Sequence, residues 1–228
     1  LQDIMNALSY HYEGTPDDLT NGYKDGYLHF TTMRVLCTSS TQESYAIQMR
    51  QDPNLTVMWR ASGHPCTSPY TPWYGGITAI PKEYQFIDPV LGKYTHFAAR
   101  SEDYSYDPSR AWWAFIDLQT LVNFNYATDG MKVREWKARL QNEWFANQKS
   151  FESALMSVYK VDKAKALAMM TDYSSRAALR AMNEARSLYN QILRTNVDIV
   201  TEEIDLAKGD DPVKVVLFGS KDVDVAKV

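Results

Sequence analysis

The pattern of hydrophobic and polar positions divides the chain into a first part with strand-like segments and a second part with helical spacing. After a short helical piece at residues 1–12, β-branched and aromatic residues predict strands at 29–38 and 43–50, joined by a polar turn. A second turn at 52–54 leads into a third predicted strand at 55–61, which completes an antiparallel meander. Both faces of this last strand carry apolar side chains, which favours a sheet covered on both sides.

The segment from Gly63 to Asp107 does not fit a helix or a regular strand. Prolines stand at positions 65, 69, 72, 81 and 89, and aromatic residues are interleaved with them. The stretch 68–76, SPYTPWYGG, combines three aromatic residues, two prolines and a glycine pair. A structureless loop of this length is unusual in a compact domain unless it has a function.

The remainder of the chain is mostly helical. Asp107 and Pro108 are typical of a helix start, and a second helix is expected at 131–159, after a break at Asp129-Gly130. Asp162 is expected to cap a third helix that packs antiparallel to the second. A late strand is expected within 212–220. The predicted fold class is α+β, with a sheet-forming segment at 1–106 and a helical layer at 107–228 in one structural unit.

Composition and charge narrow the classes of partner. The chain has 228 residues, a formal net charge of −4 and no cluster of basic residues, which argues against nucleic-acid binding. No apolar run approaches the roughly 20 residues needed to span a bilayer. The sequence begins with leucine rather than methionine, so we expect a fragment or a processed chain. Composition leaves the oligomeric state open.

Histidines and cysteines show no recognisable metal motif. The four histidines, at 11, 29, 64 and 96, are widely separated in the sequence, so each is expected to be structural or on the surface. Cys37 and Cys66 are the two cysteines, and their number excludes a disulfide framework and does not indicate zinc. Two free thiols are favoured, although one bridge stays open. We therefore expect no metal and no cofactor.

Four charged residues fall on the predicted strands: Arg34, Glu43, Arg50 and Arg60. Such charges are usually solvated on the open face of a sheet. If both faces are covered, they must instead pair with one another or bind a charged ligand.

The run from Met33 to Gly76 resembles the C-terminal part of the C69 dipeptidases, the PepD-like peptidases of bacteria. The resemblance rests on an arginine, a glutamate, a Gln-x-Arg pair and a tryptophan, followed by a serine, a proline and a tyrosine in a loop. In this sequence these are Arg34, Glu43, Gln48, Arg50, Trp59, Ser68, Pro72 and Tyr74. The segment HYEGTPDD, beginning at His11, is also similar to the family pattern, and the resemblance covers about residues 1–160.

The resemblance implies an N-terminal nucleophile hydrolase, an αββα sandwich whose nucleophile is a cysteine exposed as residue 1 by processing. It implies that this chain is the C-terminal half of such an enzyme, that it holds no catalytic residue, and that it is inactive alone. Cys37 is expected to lie in mid-strand and has no free amino group to act as a base. The expected partners are a dipeptide substrate and the N-terminal half. The compartment, bacterial cytoplasm or secreted and periplasmic, stays open.

Six residues are candidates for a dipeptide pocket: Ser68, Tyr70, Trp73, Tyr74, Arg34 and Glu43. A proline-fixed aromatic loop is a rigid way to line a pocket, although the same rings would also serve to close one end of the sandwich. Three alternatives stay open: cleavage of other amides within the same fold, a binding module for carbohydrate or protein that uses exposed rings at 68–74 and 104–113, and a helical scaffold at 107–200.

Overall fold

A computed structural model describes residues 1–18, 29, 34–85, 106–123, 126–196, 198–199 and 215–216. Its helices are α1 (Gln2–Leu8), α2 (Ala111–Asn123), α3 (Tyr126–Tyr159) and α4 (Lys163–Asn196). Its strands are β1 (Glu43–Gln48), β2 (Val57–Ser62), β3 (Thr71–Tyr74), β4 (Asp198–Ile199) and β5 (Val215–Val216). The fold class is α+β, as the sequence predicts. No helix among the described residues is both long and apolar enough to cross a membrane.

The main sheet has the order β1-β2-β3, and both pairings are antiparallel. Alternation along β2 turns Val57, Trp59 and Ala61 to the helices, where all three are fully buried. On the opposite face, Tyr45 and Ile47 of β1 remain about half exposed. Within the described residues the sheet is therefore covered mainly on one face. The prediction that the strand at 55–61 is covered on both faces holds only in part there, because Met58 and Arg60 of β2 are partly exposed.

Two strand assignments from the sequence are wrong in the described residues. Residues 34–38 of the predicted first strand form no strand, because Thr38 and Thr41 bond to each other's backbone and close a turn ahead of β1. The strand that completes the three-stranded sheet in the structure is β3, which lies inside the segment 63–107 that is predicted to be irregular. β3 tolerates Pro72 because the missing N–H falls on a strand that pairs with β2 alone, at the edge of the described sheet.

The long helices α3 and α4 pack antiparallel, as predicted, and they cover the buried face of the sheet. Trp136 donates its Nε1–H to Glu184 at 2.9 Å, whereas Phe151, further along α3, stacks on Tyr173 with ring centroids 4.1 Å apart. Asp162 caps α4, since its Oδ1 accepts from the Lys165 N–H at 2.9 Å. The sheet and the helices share one hydrophobic core.

The predicted break at Asp129-Gly130 is wrong, because both residues lie inside α3. Asp129 is fully buried and accepts from Lys132 Nζ at 2.9 Å, one helical turn later. Gly130 is required by packing rather than by a turn, since a Cβ there would lie 2.9 Å from two ring carbons of Tyr126. Helical hydrogen bonding and this close contact together outweigh the turn preference of the Asp-Gly pair.

Candidate functional site

The antiparallel register of β1 and β2 brings together two segments that are distant in the sequence. Glu43 stands opposite Ser62, so the loop before β1 and the loop after β2 meet at one end of the sheet. Cys37 lies in the first loop and Cys66 in the second, and both are free thiols that are almost completely buried. The prediction that Cys37 lies in mid-strand is wrong, since residues 34–38 form no strand.

Two buried histidines complete a cluster with these thiols. His11 follows helix α1, and His29 lies further along the chain, ahead of Cys37 and β1. His29 Nε2 lies 3.6 Å from Cys37 Sγ and 3.5 Å from Cys66 Sγ. One ligand atom from each of the four residues lies within 4.8 Å of the other three. We call these residues the Cys–His cluster; it consists of His11, His29, Cys37 and Cys66.

The turn after α1 is built to hold His11 in this position. Ser9, at the end of the helix, donates its hydroxyl to the Pro65 carbonyl at 3.1 Å, which ties the helix to the segment that carries Cys66. Tyr12 adopts a left-handed backbone conformation with φ 63°, which is costly for a residue with a side chain. Thr15 supports it by donating its hydroxyl to the Tyr12 carbonyl at 2.7 Å.

A carboxylate holds the outer side of His11. Glu13 Oε1 lies 3.2 Å from His11 Nδ1, and Glu13 Oε2 accepts from the His11 backbone N–H at 2.6 Å. Because Nδ1 is committed to Glu13, Nε2 is the ring nitrogen left for the cluster. His64 lies against His29 with ring centroids 4.3 Å apart, but its Nε2 is directed to the Ser39 carbonyl at 3.2 Å.

The protonation of the cluster is uneven. The pKa of Cys37 is lowered, most strongly by its hydrogen bond with Cys66 and further by hydrogen bonds with His11 and His29, which together outweigh the opposite effect of burial. Burial raises the pKa of Cys66. Burial lowers the pKa of His11, but hydrogen bonds to Cys37 and Glu13 outweigh it and raise the value to about 9. Burial and the neighbouring His29 lower the pKa of His64 to about 4. The surroundings therefore favour the thiolate form of Cys37 and the neutral thiol of Cys66.

A cleft of about 320 Å³ opens beside the cluster, between the end of α1 and the first half of α3. Its lining residues are Asn6, Ser9, Tyr10, Glu13, Cys66, Tyr126, Arg134, Lys137, Ala138 and Gln141. Lys137 Nζ donates to Ser9 Oγ at 3.1 Å and to the Pro65 carbonyl, and burial lowers its pKa. The Arg134 guanidinium lies 5.4 Å from the centre of the Tyr126 ring. Among the described residues, neither cation forms an ion pair with a carboxylate.

Tyr70, one of the predicted pocket residues, lies directly beneath this cleft. Its backbone N–H donates to Gln141 Oε1 at 2.9 Å, and its ring centre is 5.8 Å from Lys137 Nζ. Its hydroxyl is paired with Ser44 Oγ at 2.7 Å in the interior. Tyr70 thus supports two of the cleft's polar side chains without itself lining the cleft.

The other three loop candidates are buried in different surroundings. The Ser68 hydroxyl donates to the Ser62 carbonyl at 2.5 Å. Trp73 packs edge-on against Tyr84, with centroids 5.3 Å apart, and Tyr74 donates its hydroxyl to Glu152 Oε1 at 3.1 Å. These contacts hold the three side chains within the protein interior. A role in substrate binding stays a prediction for all three.

The two charged candidates lie apart from the cleft. Arg34 is exposed, and its carbonyl accepts from the Tyr12 hydroxyl at 3.3 Å. Glu43 is exposed at the start of β1 and accepts from Arg60 Nε at 2.7 Å, across the open face of the sheet. A role for Arg34 and Glu43 in substrate binding also stays a prediction. Arg50, the charged residue at the end of the second predicted strand, lies two residues past β1, and its Nη2 is 3.4 Å from Glu152 Oε2.

The sequence did not indicate the Cys–His cluster, because its members fit no spaced motif. Three of the four histidines, those at 11, 29 and 64, are buried together, and both thiols lie with them, although the three histidines are widely separated in the sequence. The local signal is weak: His11 stands three residues after the end of α1, and His64-Pro65-Cys66 begins two residues after the end of β2. His96 lies outside the described residues.

Comparison with known proteins identifies the family. No curated protein matches the chain significantly. The family model described as peptidase family C69 matches residues 1–138, which includes α1, the three-stranded sheet, the members of the cluster and the cleft residues up to Ala138. This match spans more than half of the chain and agrees with the motifs at His11 and at 33–76. The chain therefore belongs to peptidase family C69.

Proposed function

We propose that this chain forms part of a cysteine-type dipeptidase, in which it supplies the cleft that binds the free carboxylate of a short peptide. Membership in peptidase family C69 supports peptide-bond hydrolysis in general. The observation that carries the finer proposal is a cleft with two cations, Lys137 and Arg134, that have no carboxylate partner among the described residues. Lys137 is partly buried, and an anion stabilises a cation that has lost part of its hydration. Arg134 is exposed at the cleft, and its guanidinium can bind a carboxylate in bidentate geometry.

The attacking thiol is proposed to lie on another part of the enzyme. The sequence has two cysteines, and Cys37 and Cys66 are only 0% and 4% exposed. A nucleophilic thiol must reach the carbonyl carbon of its substrate as a thiolate. Cys37 does not line the cleft, and Cys66, which does, is almost fully buried and has a pKa that burial raises, so its thiolate is disfavoured. A cysteine that is exposed as an N-terminal residue, as the family resemblance implies, would carry its own base in the α-amino group.

The open face of the sheet supports the αββα arrangement that the resemblance implies. Tyr45 and Ile47 are 53% and 46% exposed on β1, next to the half-buried Met58. A second sheet that packs on this face would bury these side chains about 10 Å from the first sheet. We propose that the part of the enzyme with the nucleophile provides this second sheet.

The size of the cleft favours short substrates. A volume of about 320 Å³ is at the lower end of the range for small-molecule pockets, which suits two residues better than an extended peptide. The alternative of a carbohydrate-binding module depends on exposed rings at 68–74 and 104–113. Tyr70, Trp73 and Tyr74 are all buried, whereas Tyr106 is 58% exposed, so only the second segment still offers an exposed ring. Cleavage of other small amides remains an alternative for the same cleft.

Binding of a free dipeptide tests the proposal, with Arg134→Met as the variant and Arg139→Met as the matched control. Arg139 lies on the same helix and is exposed, as Arg134 is, but it is paired with Glu184 at 2.5 Å and lies outside the cleft. Loss of a charged hydrogen bond costs about 1.5–3 kcal/mol, so Arg134→Met should weaken dipeptide binding about 10- to 100-fold in a calorimetric titration. Arg139→Met should bind like the parent.

The same titration with a C-terminally amidated dipeptide and with an oligosaccharide separates the alternatives. Amidation should weaken binding to the parent about as much as Arg134→Met does, because it removes the same charge. Equal affinity for the free and amidated dipeptides would contradict a carboxylate site in this cleft. Binding of the oligosaccharide alone would favour the non-catalytic module.

A further inference from the structure

We propose that the Cys–His cluster is a tetrahedral site for a zinc-type divalent cation, with two nitrogen and two sulfur ligands. The ligands are His11 Nε2, His29 Nε2, Cys37 Sγ and Cys66 Sγ. This inference concerns residues beside the cleft and does not depend on the dipeptidase proposal.

The distances within the cluster agree with a tetrahedral ion. Bonds of about 2.3 Å to sulfur and about 2.0–2.1 Å to nitrogen set the ligand atoms about 3.4–3.8 Å apart. The two sulfur atoms lie 3.5 Å and 3.6 Å from the same nitrogen of His29. The longest separation in the set is within 4.8 Å, so closure on an ion needs side-chain shifts of about 1 Å.

The chemistry of the ligands favours the same conclusion. Among the described residues, His11 Nε2 is buried without a hydrogen-bond partner in normal geometry, and a divalent cation bound by the two thiols would satisfy it. Two thiolates balance the charge of a divalent ion, so the occupied site is neutral overall. Tetrahedral sites with two sulfur and two nitrogen ligands are typical of zinc rather than of magnesium or calcium, which require oxygen.

Glu13 provides the support that a metal-bound histidine usually has. Such a histidine donates the hydrogen of its second ring nitrogen to a carboxylate or carbonyl, which fixes the tautomer and the orientation of the ring. The contact between Glu13 Oε1 and His11 Nδ1, at 3.2 Å, has this arrangement, and the second carboxylate oxygen is held by the His11 backbone at 2.6 Å. The strained backbone at Tyr12 places both residues.

A site with four protein ligands and almost no exposure has no open position for substrate, so its role is structural. Its ligands come from four separate places: the turn after α1, position 29, the loop before β1 and the connection from β2 to β3. An ion bound there would join these segments and hold the cleft beside them in shape. We therefore expect the bound metal to stabilise the fold rather than to activate water.

Metal analysis of the purified protein is the first test. Protein produced with zinc in the medium should contain one zinc ion per chain, and cobalt(II) exchanged into the site should give the visible bands of a tetrahedral, thiolate-bound ion. Removal of the metal with a chelator should lower the melting temperature and make both cysteines reactive to a thiol reagent. A reduced protein that holds no zinc and takes up no cobalt would overturn the proposal, and so would a Cys37–Cys66 disulfide that, once reduced, leaves zinc unbound.

Variants locate the metal. Cys37→Ser and Cys66→Ser should each abolish stoichiometric zinc binding, and Glu13→Gln, which replaces a partly exposed side chain, should lower zinc affinity about 10- to 100-fold. Asp17→Asn, the same type of change at an exposed position nearby, should leave affinity unchanged. If a serine variant does not fold, Glu13→Gln decides. If Glu13→Gln, or either serine variant that folds, binds zinc with the affinity of the parent, this set of ligands is contradicted.

Discussion

Replacement of Trp59 by alanine should reduce the free energy of unfolding by about 3–5 kcal/mol, the usual range for removal of a large buried aromatic side chain. Trp59 has no exposed surface and lies on the middle strand of the sheet. Its ring stacks on Phe145 of α3 with centroids 4.2 Å apart and an interplanar angle of 20°. The substitution therefore removes a buried aromatic contact between the sheet and α3 and leaves a cavity there. Urea denaturation, analysed for its midpoint and slope, measures the loss.

Tyr45→Ala is the matched control for Trp59→Ala. Tyr45 is also an aromatic residue of the same sheet, but it lies on the open face and is 53% exposed. Its removal should change the free energy of unfolding by about 0.5 kcal/mol or less, as is usual for surface positions. Equal losses for the two variants would contradict the assignment of the covered and open faces.

Replacement of Gly75 by alanine should destabilise the protein by about 3 kcal/mol, and by clearly more than the same change at Gly76. A Cβ at Gly75 would lie 2.1 Å from the Pro53 carbonyl oxygen, which belongs to backbone and has little freedom to move. The Gly75 N–H also donates to the Thr56 carbonyl at 2.7 Å, so the clash cannot be relieved without the loss of this bond. Overpacking of this kind costs about 1–3 kcal/mol and occasionally more.

Gly76→Ala provides the comparison because its neighbours are flexible. A Cβ there would meet Met170 Sδ at 2.6 Å and Leu167 Cδ2 at 2.8 Å, near the ends of side chains that can change rotamer, and Asn54 Cβ at 3.0 Å. Rotamer changes should absorb most of this contact, so we expect a loss of about 1 kcal/mol. The melting temperatures of the two variants give the order directly. A more stable Gly75→Ala variant would show that the turn after β3 is not held against Pro53 as described.

The sequence predicts the regular elements whose signals are local. β1 and β2 stand where alternation and turn residues place them, and Asp162 caps α4 as expected. The errors occur where tertiary contacts outweigh local preference. Pro72 argues against a strand, yet β3 forms because its backbone pairs with β2 at an edge. Asp129-Gly130 argues against a helix, yet the Tyr126 ring needs a glycine in contact with it.

The candidate site was less accessible to sequence reasoning than the fold. The aromatic loop at 68–74 suggested a pocket, but burial of its rings follows from the pairing of β3, which the sequence did not indicate. The cluster depends on the antiparallel register that sets Glu43 opposite Ser62, and on a strained turn at Tyr12 that holds His11. Neither feature has a sequence spacing that could be recognised in advance. The enzyme class follows from the family resemblance, because members of one family share a fold and therefore the contacts that a single sequence does not reveal.

Hydrolysis of a free dipeptide by the purified chain, followed by the release of amino acids, tests the central claim most directly. We propose that the nucleophile lies outside this chain, because Cys37 does not line the cleft and burial raises the pKa of Cys66, the thiol that does. The chain should therefore bind the dipeptide without turnover above the rate in buffer. Turnover by the parent chain that disappears in a folded Cys37→Ser variant would contradict the account and assign catalysis to the Cys–His cluster.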